Sequence, residues 1–204
     1  MMLKSLKMAV MFRFGGSLLG RPFMFEELRL LGSTEQSIVV QTRKGTNVKN
    51  VIELDPGDRE LRVYDLLLRK SGGNWVRRKP PTGVYNCAGH VWASRRTSIL
   101  EEDQWRLSLA EDGYRRLSEA EAPAPDDLVL YVDADSNGFL HVARILELRS
   151  GIGSDSHPLA WVLSKRDSIS GEAMHFDHDV SHLHQGFRVR TEYWTDRPIE
   201  REER

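Results

Sequence analysis

Apolar positions along the chain recur about every four residues up to a loop rich in alanine, proline and acid, Ala120 to Asp127, and about every two residues after it. Before the loop this spacing predicts helices over Phe23 to Leu31, Asn86 to Ile99 and Glu101 to Ser118. Asn86 has the side chain of an N-cap. In the last helix the acidic start and the Arg115-Arg116 end suit the dipole, while Asp112-Gly113 is a point of shortening. Leu61 to Lys70 fits helix or strand; Ser37 to Thr42 and Asn47 to Leu54 read as strands, with a turn at Pro56-Gly57. Trp75 to Pro81 is basic and extended. Beyond the loop, strands are predicted over Leu128 to Val132, Phe139 to Leu148, Leu159 to Ser164 and Glu172 to Phe176, the first two joined by a turn at Asp133 to Gly138. Helices followed by an antiparallel meander imply an α+β fold, with N-terminal helices packed on an antiparallel sheet.

Composition narrows the partners. The 204 residues carry 29 Lys and Arg against 30 Asp and Glu, interspersed, for a formal net charge of -1. Nucleic acid and anionic membranes select clustered positive charge, so neither is expected as a partner. The apolar content, 40%, suffices for one core, and the chain divides into an N-terminal extension (1–57), one domain (58–194) and a polar tail expected to be disordered (195–204). No run approaches the roughly 20 apolar residues of a membrane span. The start imitates a signal peptide poorly, because Arg13 and Gly15-Gly16 interrupt Met8 to Phe14; a cytoplasmic location is expected, with export left open. A single cysteine, Cys87, excludes an internal disulfide and a thiolate zinc ribbon.

That cysteine falls at a predicted helix N-terminus, in Tyr85-Asn86-Cys87-Ala88-Gly89-His90, where unpaired backbone N–H groups favour a thiolate. The small Ala88 and Gly89 would let a substrate carbonyl approach, with the Cys87 N–H as an oxyanion donor. A base is needed as well, and His141, after the Gly138 turn at the start of a strand, is the best placed.

These residues resemble the papain-like hydrolases of the NlpC/P60 and CHAP type. In that family a Cys opens a helix, a strand of the Asp-Asp-Leu-Val-x-Tyr kind follows, and a His opens the next strand. The matching pieces are Asn86 to His90, Pro125 to Tyr131 and Phe139 to Ile145; Trp161 to Lys165 with Gly171 to His175 resembles the Ser-Lys-Trp-Gly and Gly-Glu-x-x-His ending of some bacterial relatives. The likeness covers roughly Tyr85 to Val180 and implies an amide or peptide hydrolase without a cofactor, in which Cys87 attacks and His141 takes its proton. Cys before His on the chain favours hydrolysis over acyl transfer. The family draws its third, orienting group from the strand after the His strand, which makes Ser164 the positional candidate, with His175 and Glu172 as others. Two departures stand out: Asp126 replaces the usual glycine at the strand entry, and Arg166-Asp167 replaces Trp-Gly, which would alter a turn and the rim of the site. The implied partner is a peptide or protein, peptidoglycan peptides included.

Two other readings compete. The same scaffold can serve as an inactive binding module, with Leu61 to Trp75 as its partner surface. Met174 to His184 packs four histidines and two aspartates together, and His178 and His182 would share a helix face, which suggests a metal-dependent hydrolase; a solvated polar loop accounts for them equally. Arg77 to Lys79 and Arg95-Arg96 would steer an acidic partner toward the thiol or form a solvated rim. The five tryptophans are spread along the chain and read as packing.

Overall fold

The computed structural model describes residues 37–71, 75–150, 158–167, 170–179 and 186–199. Among the described residues the fold is α+β, with three helices, α1 (Asp58–Ser71), α2 (Cys87–Trp92) and α3 (Glu102–Glu111), and seven strands, β1 (Val76–Arg77), β2 (Arg115–Arg116), β3 (Leu128–Asp133), β4 (Phe139–Arg149), β5 (Leu159–Lys165), β6 (Glu172–Phe176) and β7 (Val189–Thr195). They form one sheet in the order β1-β6-β5-β4-β3-β7-β2, with every neighbouring pair antiparallel.

Period-two alternation gives the sheet two faces. On one, Leu128, Leu130, Val132 and Val142 pack against Cys87, Ala88, Trp105 and Leu109 of the helices. On the other, Val129, Tyr131, Ala143, Ile145, Ala160 and Val162 pack together, with Trp75 against them. Strand β3 is covered on both faces, which is why it reads as an unbroken apolar run. In β4 His141 faces Tyr131 in the regular register, and the pairing then skips Leu140, so that Phe139 faces Val132.

The helix expected over Asn86 to Ile99 stops at Trp92. The Gly89 carbonyl accepts from both Ala93 and Arg95, and Ser94 and Arg95 take φ of 50° and 66°, turning the chain back along α2. The helix predicted from Glu101 gives way after Asp112, where Gly113 has φ of 81°, and Arg115-Arg116 becomes an edge strand. It pairs with β7, which the sequence reading missed although Val189, Thr191 and Tyr193 alternate with Arg190 and Glu192 as in a half-buried strand.

The proposed division at residue 57 does not match the packing. Val40 and Val48 lie in the helix-side core, and Thr42 donates to Glu111 at 2.6 Å. The two strands expected in this segment reduce to single bridges, Gln41 with Asn47 and Val51 with Ser98. At the other end Thr195 is buried in β7, and Arg197 Nη2 reaches Asp127 Oδ2 at 2.7 Å, so the start of the expected tail is held. The helix expected over Phe23 to Leu31 lies outside the described residues, as does the second half of the tail (200–204). Among the described residues no helix is long and apolar enough to cross a membrane.

Candidate functional site

Asn86 builds the corner that carries the thiol. Its Oδ1 accepts the N–H of Gly89 at 2.9 Å and of Ile99 at 3.1 Å, while its Nδ2 donates to the Ile99 carbonyl at 2.8 Å. One buried side chain thus caps α2 and ties it to the chain twelve residues after Cys87. Gly89 is fixed by the same return: a Cβ there would lie 1.7 Å from the Thr97 carbonyl oxygen. The glycine serves this packing, which corrects the expectation that it opens the backbone to a substrate.

Cys87 is buried in the first turn of α2. Its sulfur accepts the backbone N–H of Val142 and of Ala88, and the Lys165 charge also favours the thiolate, yet burial dominates and pushes the thiol up to about 12. The resting group is therefore the thiol, in place of the thiolate expected from a helix N-terminus. The Val142 N–H belongs to the peptide bond that joins it to His141, so the chain brings the two expected partners to one peptide. The His141 side chain, one residue before Val142 in the regular alternation of β4, points to the other face, its ring 5.4 Å from that of Tyr131.

Ser164 and His175 share that face. Ser164 pairs with Ala143, two residues along β4 from His141, and its Oγ lies 2.7 Å from His175 Nε2. His175 Nδ1 lies 2.7 Å from the Phe176 carbonyl, so Nδ1 carries the proton and Nε2 accepts from the serine. Trp75 stacks on this ring at 4.2 Å. Burial holds His175 neutral, down to about 4, against the pull of the Phe176 carbonyl. Three of the four residues singled out from sequence, His141, Ser164 and His175, thus line one face and Cys87 the other, and the Ser164 hydroxyl is committed to His175.

The remainder of the histidine cluster is no helix at its described start: Asp177 to Asp179 form one tight turn, in which His178 sits between the two aspartates. Among the described residues no three His, Cys, Asp or Glu side chains are grouped to hold a metal; His182 and His184 lie outside them.

On the helix side, a charged cluster surrounds Glu172, which has no side-chain exposure. Its Oε1 accepts from the Tyr85 hydroxyl at 2.7 Å and Arg95 Nε at 2.5 Å, with Lys79 Nζ at 3.9 Å. Burial alone would raise this carboxyl, but the Arg95 and Tyr85 hydrogen bonds and the nearby charges together hold it below the usual range. Arg95 Nη2 is 3.0 Å from His90 Nε2, and burial together with the Arg95 charge lowers His90 to about 4. Sequence reasoning missed His90 in this role. Its one signal is the three-residue spacing from Cys87, which places both on one flank of α2. Lys165 is also fully buried, donating to the carbonyls of Thr82 at 2.8 Å and Asp167 at 2.6 Å, rather than solvated at a strand end.

Comparison of the chain with models of known protein families, with curated proteins and with solved structures finds no match to any of them.

Proposed function

We propose that the chain is a papain-like thiol hydrolase that cleaves an amide or peptide bond, with Cys87 as nucleophile and His141 as base. The observation that carries this reading is the position of the Cys87 sulfur, in the first turn of a helix and against the N–H that immediately follows His141. The backbone at Asp126 supports it too: standing where the resembling family carries glycine, this residue takes φ of 72°, the conformation glycine adopts without strain. Because the resting group is a thiol, its proton leaves as the substrate is attacked. The His141 ring rests on the sheet face opposite Cys87, so this mechanism requires the start of β4 to turn it toward the sulfur; there His141 takes the proton while sulfur bonds to the carbonyl carbon, the C–N bond breaks, and the amine departs with that proton. Water, giving a proton to His141, then cleaves the thioester to release the acid and restore the thiol. The Ser164–His175 pair acts by fixing β5 against β6 beside His141.

A second reading, a binding module without catalysis, is favoured by one observation, the burial of the thiol. Alkylation of Cys87 by iodoacetamide across pH, read by intact mass in the wild type and in His141→Ala, separates the two. Hydrolysis predicts a folded thiol that reacts and slows when His141 is removed. A thiol inert in the fold, or indifferent to His141, overturns it in favour of the binding module.

A further inference from the structure

We propose that Arg95 and Lys79, gathered on the buried Glu172, receive an acidic side chain of a peptide substrate one or two residues from the bond that Cys87 attacks. The inference rests on the thiol-hydrolase reading and names its substrate class. Two cations converge on a single carboxylate oxygen, Arg95 Nε at 2.5 Å and Lys79 Nζ at 3.9 Å, beside a His90 that is neutral near pH 7, leaving the cluster one positive charge in excess. The carboxylate is sealed off, whereas the side chains of Arg95 and Lys79 are 37% and 48% exposed, so the excess charge faces outward.

Two polar atoms of the cluster also lack a hydrogen-bond partner although buried, Glu172 Oε2 and His90 Nδ1. With Nε2 facing the Arg95 donor, His90 Nδ1 carries a hydrogen, and that unmet donor beside the two cations suits an acidic ligand, which only accepts. The cations are held in place beforehand. The Glu172 carbonyl accepts the N–H groups of Arg78 at 2.8 Å and Lys79 at 3.3 Å, and Arg95 stands in the left-handed region with its N–H on the Gly89 carbonyl at 3.1 Å. Backbone strain of this kind persists only where the surroundings enforce it, and it fixes the guanidinium in position. The reach follows from α2: His90 lies one turn beyond Cys87, roughly 5 Å along the axis. An extended substrate residue spans about 3.5 Å, which sets the one-to-two-residue separation.

The test alkylates Cys87 of the full chain with N-iodoacetyl-glutamate α-amide and N-iodoacetyl-glutamine α-amide, reagents that differ in one carboxylate, and normalises their rate ratio to that of the same chain unfolded in urea. At low salt the folded protein is expected to prefer the glutamate reagent about fivefold, a preference that shrinks at high salt. Lys79→Gln, at an exposed side chain, and Arg95→Gln should each reduce it. Equal normalised rates, or a preference that both variants leave intact, overturn the inference while the hydrolase reading stands. A thiol inert to both reagents overturns that reading and this inference with it.

Discussion

Asn86 holds three hydrogen bonds with one buried amide, and removing it leaves the first turn of α2 uncapped and the Ile99 backbone unmet. Asn86→Ala is expected to cost about 2–4 kcal/mol, readable as a shift in the urea midpoint. The adjacent thiol obeys a different balance. A helix N-terminus and two N–H donors favour the thiolate, but removing the sulfur from water outweighs them, so Cys87 is held up to about 12 and stays protonated at neutral pH. Under the proposed mechanism His141 supplies what the helix does not, and His141→Ala should slow alkylation at pH 7 by about tenfold or more. The presence of Cys87, its place in a first turn and the polar cap before it were legible in the sequence. Its burial was not, since desolvation is a property of the elements packed around it.

The two connections that set the site respond oppositely to small changes. Gly89→Ala would drive a methyl group into the Thr97 carbonyl, 1.7 Å away, and because both sides are backbone neither yields cheaply. A loss of at least about 3 kcal/mol is expected in thermal or urea unfolding. Asp126→Gly should do the reverse: the residue holds φ of 72° and its side chain is 84% exposed, so glycine relieves strain at little loss of contact. A gain of about 0.5–1 kcal/mol is expected by the same measurement. The early end of α2 has a related origin. Helical spacing in the sequence runs past Trp92, but two consecutive left-handed residues turn the chain so that Arg95 reaches Glu172 on β6. A contact between residues 77 apart leaves no local trace.

In the assembled fold, two buried histidines on opposite faces of the sheet make stability depend on pH in one direction. His90 and His175 are each lowered from 6.5 to about 4 in the folded chain, so the unfolded chain binds more protons between those values. Stability is therefore full above pH 6.5 and falls as the pH drops toward 4, with a slope of up to about 2.7 kcal/mol per pH unit for two protons. His175→Gln, which preserves a partner for Ser164, should halve that slope in urea midpoints measured from pH 7 to pH 4.5. A slope unaltered by the substitution would show that His175 does not titrate in this window.

Local pattern by itself determined the α+β class, the helix starts at Cys87 and Glu102 and the four strands from β3 to β6, because burial of one helix stripe or one sheet face writes its own period into the chain. It also brought out Cys87 and His141 as polar residues at element starts, whereas Ser164 and His175 came from the resemblance to the papain-like family. Tertiary structure alone decided which of them meet. The register of β3 and β4 sets His141 beside Tyr131, that of β5 and β6 joins Ser164 to His175, and β7 enters the sheet beside β3 from the far end of the chain. The cluster around Glu172 likewise draws on Lys79, Tyr85, His90 and Arg95 from α2 and its flanks. Each outcome depends on register and on long-range contact, and neither is encoded in the spacing of neighbours along the chain.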